Sequence, residues 1–506
     1  MHPHEMLRRN MTGHGHAKHF KPTRGHTLFA MKQAQTLLEN RTYDELQPGD
    51  SASLTRTLTR EDIEVFAILS GDVNPAHLDD AYAAQTPFHK VIAHGMWGGT
   101  LISTILGTQL PGPGTIYVGQ QLRFLRPVSV GDVITVTVTV QEKRDKHMVL
   151  LDCLCTNQAG KSVISGTAEV MAPTQKVRRE SAPLPELTLT RHEGFARLMA
   201  LTASLPAVDC AVVFPTTACS LRAAVVAAQA GLVRPWLIGP RATIEAVARE
   251  AALPLAGCEW VEADTAEAAA EQAVALVQAG KVQAIQQGQI DVRPLLQAVL
   301  THEGGLRTQG RISHAAVADV PGYGRPLIIT DSEVHIHPTL DDKRDILNNA
   351  AALARRLGMS PRVALLSATQ TLNTNLSSSI DAAALCKAYA RQKGEHFDID
   401  GPLPFDAAVS PEVARLRHPG SSVAGRANIL LAPNLETANL LVKQLAYMGQ
   451  AEVAGLVLGA QVPILLCNDT DSERSHIASA ALALLMARGD DAVASDKGSP
   501  ALRVAA

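Results

Sequence analysis

Leu69 to Met96, LSGDVNPAHLDDAYAAQTPFHKVIAHGM, is the stretch on which the reading of this chain turns. It sets a carboxylate (Asp72), an amide (Asn74) and an imidazole (His77) close together, then reaches a small-residue turn, Ala93-His94-Gly95-Met96, that opens an apolar run. A neighbouring carboxylate and imidazole supply two proton-transfer groups, and the unpaired N–H groups of a helix start supply a place to hold an oxyanion. Asp72 and Asn74 also suit a plain turn before Pro75, because both residue types bond their own backbone there. Such a turn requires neither His77 nor Gly95. The set is a kit for carbonyl-activated chemistry.

The flanks support that reading. Thr59-x-x-Asp62 has the form of a capping box, and Ile63, Phe66, Ala67 and Leu69 give a helical apolar face that runs to Ser70-Gly71. The loop of candidate residues therefore begins where a short helix ends. After Gly95, MWGGTLISTILG is apolar nearly all round, which predicts a buried central helix. Strands should wrap it: TIYVGQQLRFLRPV, then VITVTVTV with Ile134, Val136, Val138 and Val140 on one face, then KHMVLLDCLCTN, a turn at Asn157-Gln158-Ala159-Gly160, and KSVISGTAEVM. A helix wrapped by an antiparallel meander is an α+β unit.

The order Asp72-x-Asn74-Pro75-x-His77-x-Asp79, followed by Ala93-His94-Gly95-Met96, resembles the signature of MaoC-like, (R)-specific enoyl-CoA hydratases of the hot-dog fold, over roughly residues 42 to 171. The resemblance implies that Asp72 and His77 position a water and exchange protons with it, delivering hydroxide to C3 and a proton to C2 of a 2-enoyl thioester. It gives Gly95 N–H the enolate oxygen and Asn74 the loop or the water, makes His94 structural, and pairs two such units with the site at their interface. A hot-dog thioesterase or acyl-binding module is a competing reading, which the Asp72–His77 spacing disfavours.

Ala172 to Thr188, APTQKVRRESAPLPELT, has three prolines, a basic cluster and no periodicity, and reads as an exposed linker. Beyond it short apolar strands (Cys210 to Phe214, Trp236 to Ile238, Val282 to Ile285, Leu327 to Thr330, Val363 to Leu366, Asn428 to Leu431, Ile464 to Leu466) alternate with alanine-rich helices. That alternation predicts a two-lobed α/β domain with parallel sheets covered on both faces. SLRAAVVAA (220–228), RISHAAVADVPGYGRPLIITD (311–331), IDAAALCKAYA (380–390), GPLPFDAAVSPEVA (401–414) and SSVAGRANILLAPNLETANLLVKQL (421–445) resemble the phosphate acetyl/butyryltransferases, which move acyl groups between CoA and inorganic phosphate and usually dimerise. Three loops depart from that family's pattern. Asn468-Asp469 stands where a Ser-Arg pair is usual, Gln286-Gln287-Gly288-Gln289 where Lys-Gly-Ser is typical, and Phe214-Pro215-Thr216-Thr217 where a His-Pro and an acid are. A carboxylate in place of a guanidinium repels phosphate. Asn468, Asp471 and Ser472 remain candidate phosphate or CoA contacts, with helix capping as the alternative role. The whole reads as a bifunctional acyl-CoA enzyme, or as a hydratase fused to a silent α/β domain used for dimerisation or CoA binding.

The expected layout is a disordered His-rich tail and lead-in (1–40), a hot-dog domain (41–171), the linker (172–189) and the transferase-like domain (190–506). Histidines 2, 4, 14, 16, 19 and 26 mark the tail, which has no apolar core for a secretory signal; Met31 is an alternative natural start. A net charge of −3 argues against nucleic-acid or membrane-surface partners, and no apolar run approaches the ~18 residues of a membrane span. Seven scattered cysteines, with Cys153-x-Cys155 the one close pair, suggest a reduced, cytoplasmic setting and no metal site. The substrates expected are acyl-CoA thioesters and phosphate, with no cofactor, and homo-oligomers form through both domains.

Overall fold

The computed structural model describes residues 37–185, 187, 189, 192–301, 305–391 and 397–488. Residues 1–36 of the expected tail and lead-in therefore lie outside the described residues, whereas residues 37–40 are ordered, contrary to the expected disorder. Two compact units divide the chain, Met1–Leu189 and Thr190–Ala506. Among the described residues no helix is long and apolar enough to cross a membrane.

In the first unit β1 (Leu37–Glu39) and β2 (Ser51–Thr57) precede α1 (Arg60–Ser70). Two short helices, α2 (Pro75–Leu78) and α3 (Asp80–Ala84), lead to α4 (Gly95–Thr108). Then come β3 (Ile116–Phe124), β4 (Val133–Arg144), β5 (Met148–Thr156), β6 (Ser162–Met171) and β7 (Arg178–Glu180). Five strands form an antiparallel sheet in the order β2-β4-β5-β6-β3. Period-two alternation on β4 buries Ile134, Val136, Val138 and Val140 against Ile102, Ile105 and Leu106 of α4, all within one core with Cys153 and Cys155 of β5. Gly98 lets the helix lie on the sheet: a Cβ there would stand 2.4 Å from Ile164 Cδ1.

Four details differ from the sequence reading. β2 went unforeseen, because SASLTRT has few apolar residues; its serine and threonine hydroxyls pair with those of β4 (Ser53–Thr137, Thr55–Thr135) instead. Leu69 is 82% exposed, since it lies across the helix from Ile63 and Ala67, which are buried. α4 is not buried all round: Met96, Thr100, Ser103 and Thr104 form an outward face. The expected linker is tied down over its first half, where β7 pairs antiparallel with β1 and Asn40 bonds the backbone of Gln175 and Val177.

Among the described residues the second unit holds one eleven-stranded sheet. Its strands are β8 (Val208–Val213), β9 (Val233–Ile238), β10 (Glu259–Val261), β11 (Ala284–Gln287), β12 (Ser313–Asp319) and β13 (Leu327–Thr330). They continue with β14 (Arg362–Leu366), β15 (Asp398–Leu403), β16 (Ile429–Leu431), β17 (Glu452–Leu458) and β18 (Ile464–Leu465). The order β10-β9-β8-β11-β18-β17-β12-β13-β16-β14-β15 contains two parallel runs, β10 to β18 and β13 to β15. β17 and β12 run antiparallel between them and fuse what the sequence suggests as separate sheets into one mixed, mostly parallel sheet. The helix Glu473–Ala487 is buried from Ala478 to Leu485, which accounts for its nearly continuous apolar sequence.

Candidate active site

In the first unit, the Thr59–Asp62 capping box starts α1 and Gly71 ends it, so the chain turns sharply into the candidate loop. Asp72 accepts from Asn74 N–H at 3.2 Å, and the Asn74 side chain in turn caps α2 by accepting from Ala76 N–H at 3.1 Å. Asn74 therefore shapes the loop. His77, half-buried on α2, faces back toward the start of α4. Its Nδ1 lies 2.9 Å from the Ile92 carbonyl oxygen, which can only accept, so Nδ1 carries a proton and in the neutral ring Nε2 holds the lone pair.

His94 binds the site together. Its ring stacks on that of His77 with centroids 4.0 Å apart, and its Nε2–H donates to the Asp72 backbone carbonyl at 3.0 Å. The ring is buried and its Nδ1 has no hydrogen-bond partner among the described residues. Ligating atoms of Asp72, His77 and His94 fall within 4.8 Å of one another. Gly95 is the first residue of α4, where backbone donors have no intrahelical acceptor and the helix dipole adds positive potential. Asp72, His77 and His94 thus converge, while Asn74 shapes the same loop and Gly95 follows His94 in the chain. The positioning contact from His94 was not foreseen, because it joins residues 22 positions apart. Val73, Met96, Phe124 and Leu125, all more than 40% exposed, add apolar surface to the same loops and strand end.

In the second unit the loops after β8, β11 and β18 meet at the carboxyl ends of three neighbouring parallel strands, the usual crevice of such sheets. They enclose a cavity of about 450 Å³ lined in part by Thr217, Glu267, Asp291, Cys467, Asn468 and Asp469. A second cavity, about 330 Å³, is lined in part by His314, Ser332, Glu333, Lys443, Glu452 and Asp471. Asn468 borders both. Its side chain leans on Asp471 at 3.4 Å, while Ser472 caps the helix Glu473–Ala487 by accepting from Ser475 N–H at 3.0 Å.

The glutamines at the β11 end tie strands together. Gln286 Nε2 donates to the Ser220 carbonyl at 2.9 Å; Gln287 donates to Ile290 O at 2.7 Å and accepts from Cys467 N–H at 3.2 Å. Gly288 is obligatory, since a Cβ would stand 2.1 Å from Val213 O. Two groups had no sequence signal. Buried His314 accepts or donates at Nδ1 with Ser332 Oγ at 2.7 Å, and burial lowers its pKa to about 4 despite the nearby Asp331. Cys219, Cys467 and His476 cluster, with burial pushing both thiols up and the imidazole down.

Comparison with known proteins follows the same division. The family model "MaoC like domain" matches residues 46–152, and "Phosphate acetyl/butaryl transferase" matches 267–484. A phosphate acetyltransferase of Rhizobium meliloti is 44% identical over 291 residues, covering 57% of this chain and 92% of that protein. The branched-chain phosphotransacylase of Enterococcus faecalis is 26% identical, with a TM-score of 0.50 over 55% of this chain and 99% of that one. The R-hydratase of Pseudomonas aeruginosa is 49% identical over 30% of this chain and 99% of that one, with a TM-score of 0.30. With the transferase match running along nearly the full length of its Rhizobium relative, the chain belongs to the phosphate acetyl/butyryltransferase family and carries a MaoC-like domain ahead of that region.

Proposed function

We propose that the chain is a bifunctional acyl-CoA enzyme. Its first unit hydrates 2-enoyl-CoA to (R)-3-hydroxyacyl-CoA, and its second transfers acyl groups between CoA and phosphate. The observation that carries the hydratase reading is the His77 imidazole, held by its Nδ1–Ile92 bond with a ring nitrogen within 4.8 Å of an Asp72 carboxylate oxygen. Water loses a proton to this pair as its oxygen attacks C3; the thioester becomes an enolate whose oxygen takes the Gly95 N–H, and one proton returns from the pair to C2. Asn74 holds the loop, and His94 holds Asp72 in place. The exposed apolar side chains beside the loop support pairing with a second copy that covers the acyl chain.

A second reading of the C-terminal unit, as a silent CoA-binding or dimerising domain, is favoured by its charge. The larger cavity presents Glu267, Asp291 and Asp469 and no Lys, Arg or His among its lining residues; the smaller presents three carboxylates against Lys443. A phosphate dianion meets like charge there. Crotonyl-CoA hydration, run beside phosphate-dependent CoA release from acetyl- and butyryl-CoA, tests both. Hydration with phosphate-dependent release supports the bifunctional enzyme. Hydration alone supports the silent domain, and absence of hydration refutes the Asp72–His77 assignment.

A further inference from the structure

We propose that Cys219, Cys467 and His476 form a three-ligand site for a soft divalent transition cation of the Zn²⁺ class, with the fourth position left to water or an anion. Three separate elements deliver the ligands. Cys219 stands in the first turn of the helix Ala218–Gln229, Cys467 just past the end of β18, and His476 in the first turn of the helix Glu473–Ala487. All three ligating atoms lie within 4.8 Å of one another. The Cys219 and Cys467 Sγ atoms are 3.7 Å apart, and Cys219 Sγ is 3.9 Å from His476 Nε2. Around tetrahedral zinc, with Zn–S about 2.3 Å and Zn–N about 2.0–2.1 Å, the S···S edge is about 3.8 Å and the S···N edge about 3.6 Å. Two measured edges are therefore close to those of a filled site.

The chemistry of the set agrees. Two thiols and an imidazole select Zn²⁺ over Mg²⁺ or Ca²⁺, which take oxygen ligands. The imidazole is buried on a rigid helix, so its orientation is set before a cation arrives. The surroundings are negative. Cys467 also lines the larger cavity, whose charged lining residues are Glu267, Asp291 and Asp469. Exchange of two thiol protons for one divalent cation leaves the net charge of the site unchanged, so filling it adds no charge beside these carboxylates. Binding proceeds by loss of both thiol protons to solvent and formation of two metal–thiolate bonds, with no change of oxidation state.

The test uses the full-length chain, stripped of metal under reducing conditions and titrated with Co²⁺. One equivalent per chain is expected to produce a thiolate-to-cobalt charge-transfer band with the visible bands of a tetrahedral centre, both erased by Zn²⁺. The N-terminal histidines cannot produce that charge-transfer band, because residues 1–40 contain no cysteine. Cys219→Ser and Cys467→Ser should each remove or halve the band and weaken Zn²⁺ binding more than about a hundredfold, since loss of even an outer-shell partner costs about 10–100-fold. Cys386→Ser, which alters a thiol elsewhere in the unit, should leave the band intact. A measurement on the unaltered chain guards against misfolded variants: Zn²⁺ should protect Cys219 and Cys467 from alkylation, mapped by mass spectrometry. No charge-transfer band, a band unchanged in both serine variants, or equal alkylation of both cysteines with and without Zn²⁺ overturns the proposal.

Discussion

Replacing His77 by glutamine separates its catalytic role from its structural one. Among the described residues the imidazole makes one hydrogen bond, Nδ1 to Ile92 O at 2.9 Å, and a glutamine amide can still donate to that carbonyl. Loss of such a bond altogether, as in His77→Ala, costs about 1 kcal/mol of stability, and His77→Gln should cost less. The Nε2 lone pair has no counterpart in glutamine. A positioned general base contributes about 10²–10⁴ in rate, or ~3–5 kcal/mol of barrier. Crotonyl-CoA hydration, followed by loss of the enoyl thioester absorbance, should therefore fall by about 10²–10⁴ in kcat, with unaltered far-UV dichroism and melting temperature. If Asp72 and His77 act on the same water, the Asp72→Asn/His77→Gln double variant should lose at most about tenfold beyond the worse single variant, because groups working as a unit are not additive. Activity of His77→Gln within tenfold of the parent, or single losses that multiply in the double variant, would refute this reasoning.

Four further outcomes are expected. Asp469→Arg removes a carboxylate from the larger cavity and restores the cation usual in the family, so phosphate-dependent CoA release should rise at least tenfold; an unchanged rate would show that charge at Asp469 is not what limits it. Gly98→Ala sets a Cβ 2.4 Å from the movable end of Ile164 and should cost about 1–3 kcal/mol in denaturant titrations. Gly288→Ala meets the backbone oxygens of Val213 and Phe214 at 2.1 and 2.7 Å, which cannot swing aside, so it should be the more damaging of the two; a smaller loss than Gly98→Ala would contradict the packing argument. Finally, buried His314 holds its proton only below about pH 4, whereas the unfolded imidazole takes one from about pH 6.5 downward. The unfolded state binds more protons in that window, so the His314 contribution is complete above pH 6.5 and is lost as pH falls to about 4, by up to ~3 kcal/mol. His314→Gln should flatten the pH dependence of melting over that range, and an identical slope in the variant would rule the contribution out.

Some of the molecule was legible because the forces that make it act over a few residues. The Thr59–Asp62 capping box and the alternation of Ile134 to Val140 are short-range patterns, and each appears in the structure at the expected place; Asp72, Asn74 and His77 fall on one loop and its following short helix. β2 was illegible because hydroxyl pairing with β4, not apolar alternation, carries it. The outward face of α4 was illegible for a different reason. Threonine, serine and glycine interrupt its apolar run too gently to mark a side, and only the position of the sheet shows which face is left out.

The chain's two-part architecture, its MaoC-like loop and its transferase framework were determined by sequence alone, since motif offsets and the switch from meander to strand–helix alternation survive without coordinates. Tertiary structure decided what distant segments do to one another. β12 and β17, 133 positions apart at the Asp319–Glu452 pair, join the two parallel runs into one sheet. His94 acts on Asp72 across 22 positions, and Cys219 meets Cys467 and His476 across 248 and 257. No periodicity records such meetings, because the free energy that brings them about belongs to burial of whole elements and not to the residues that end up touching.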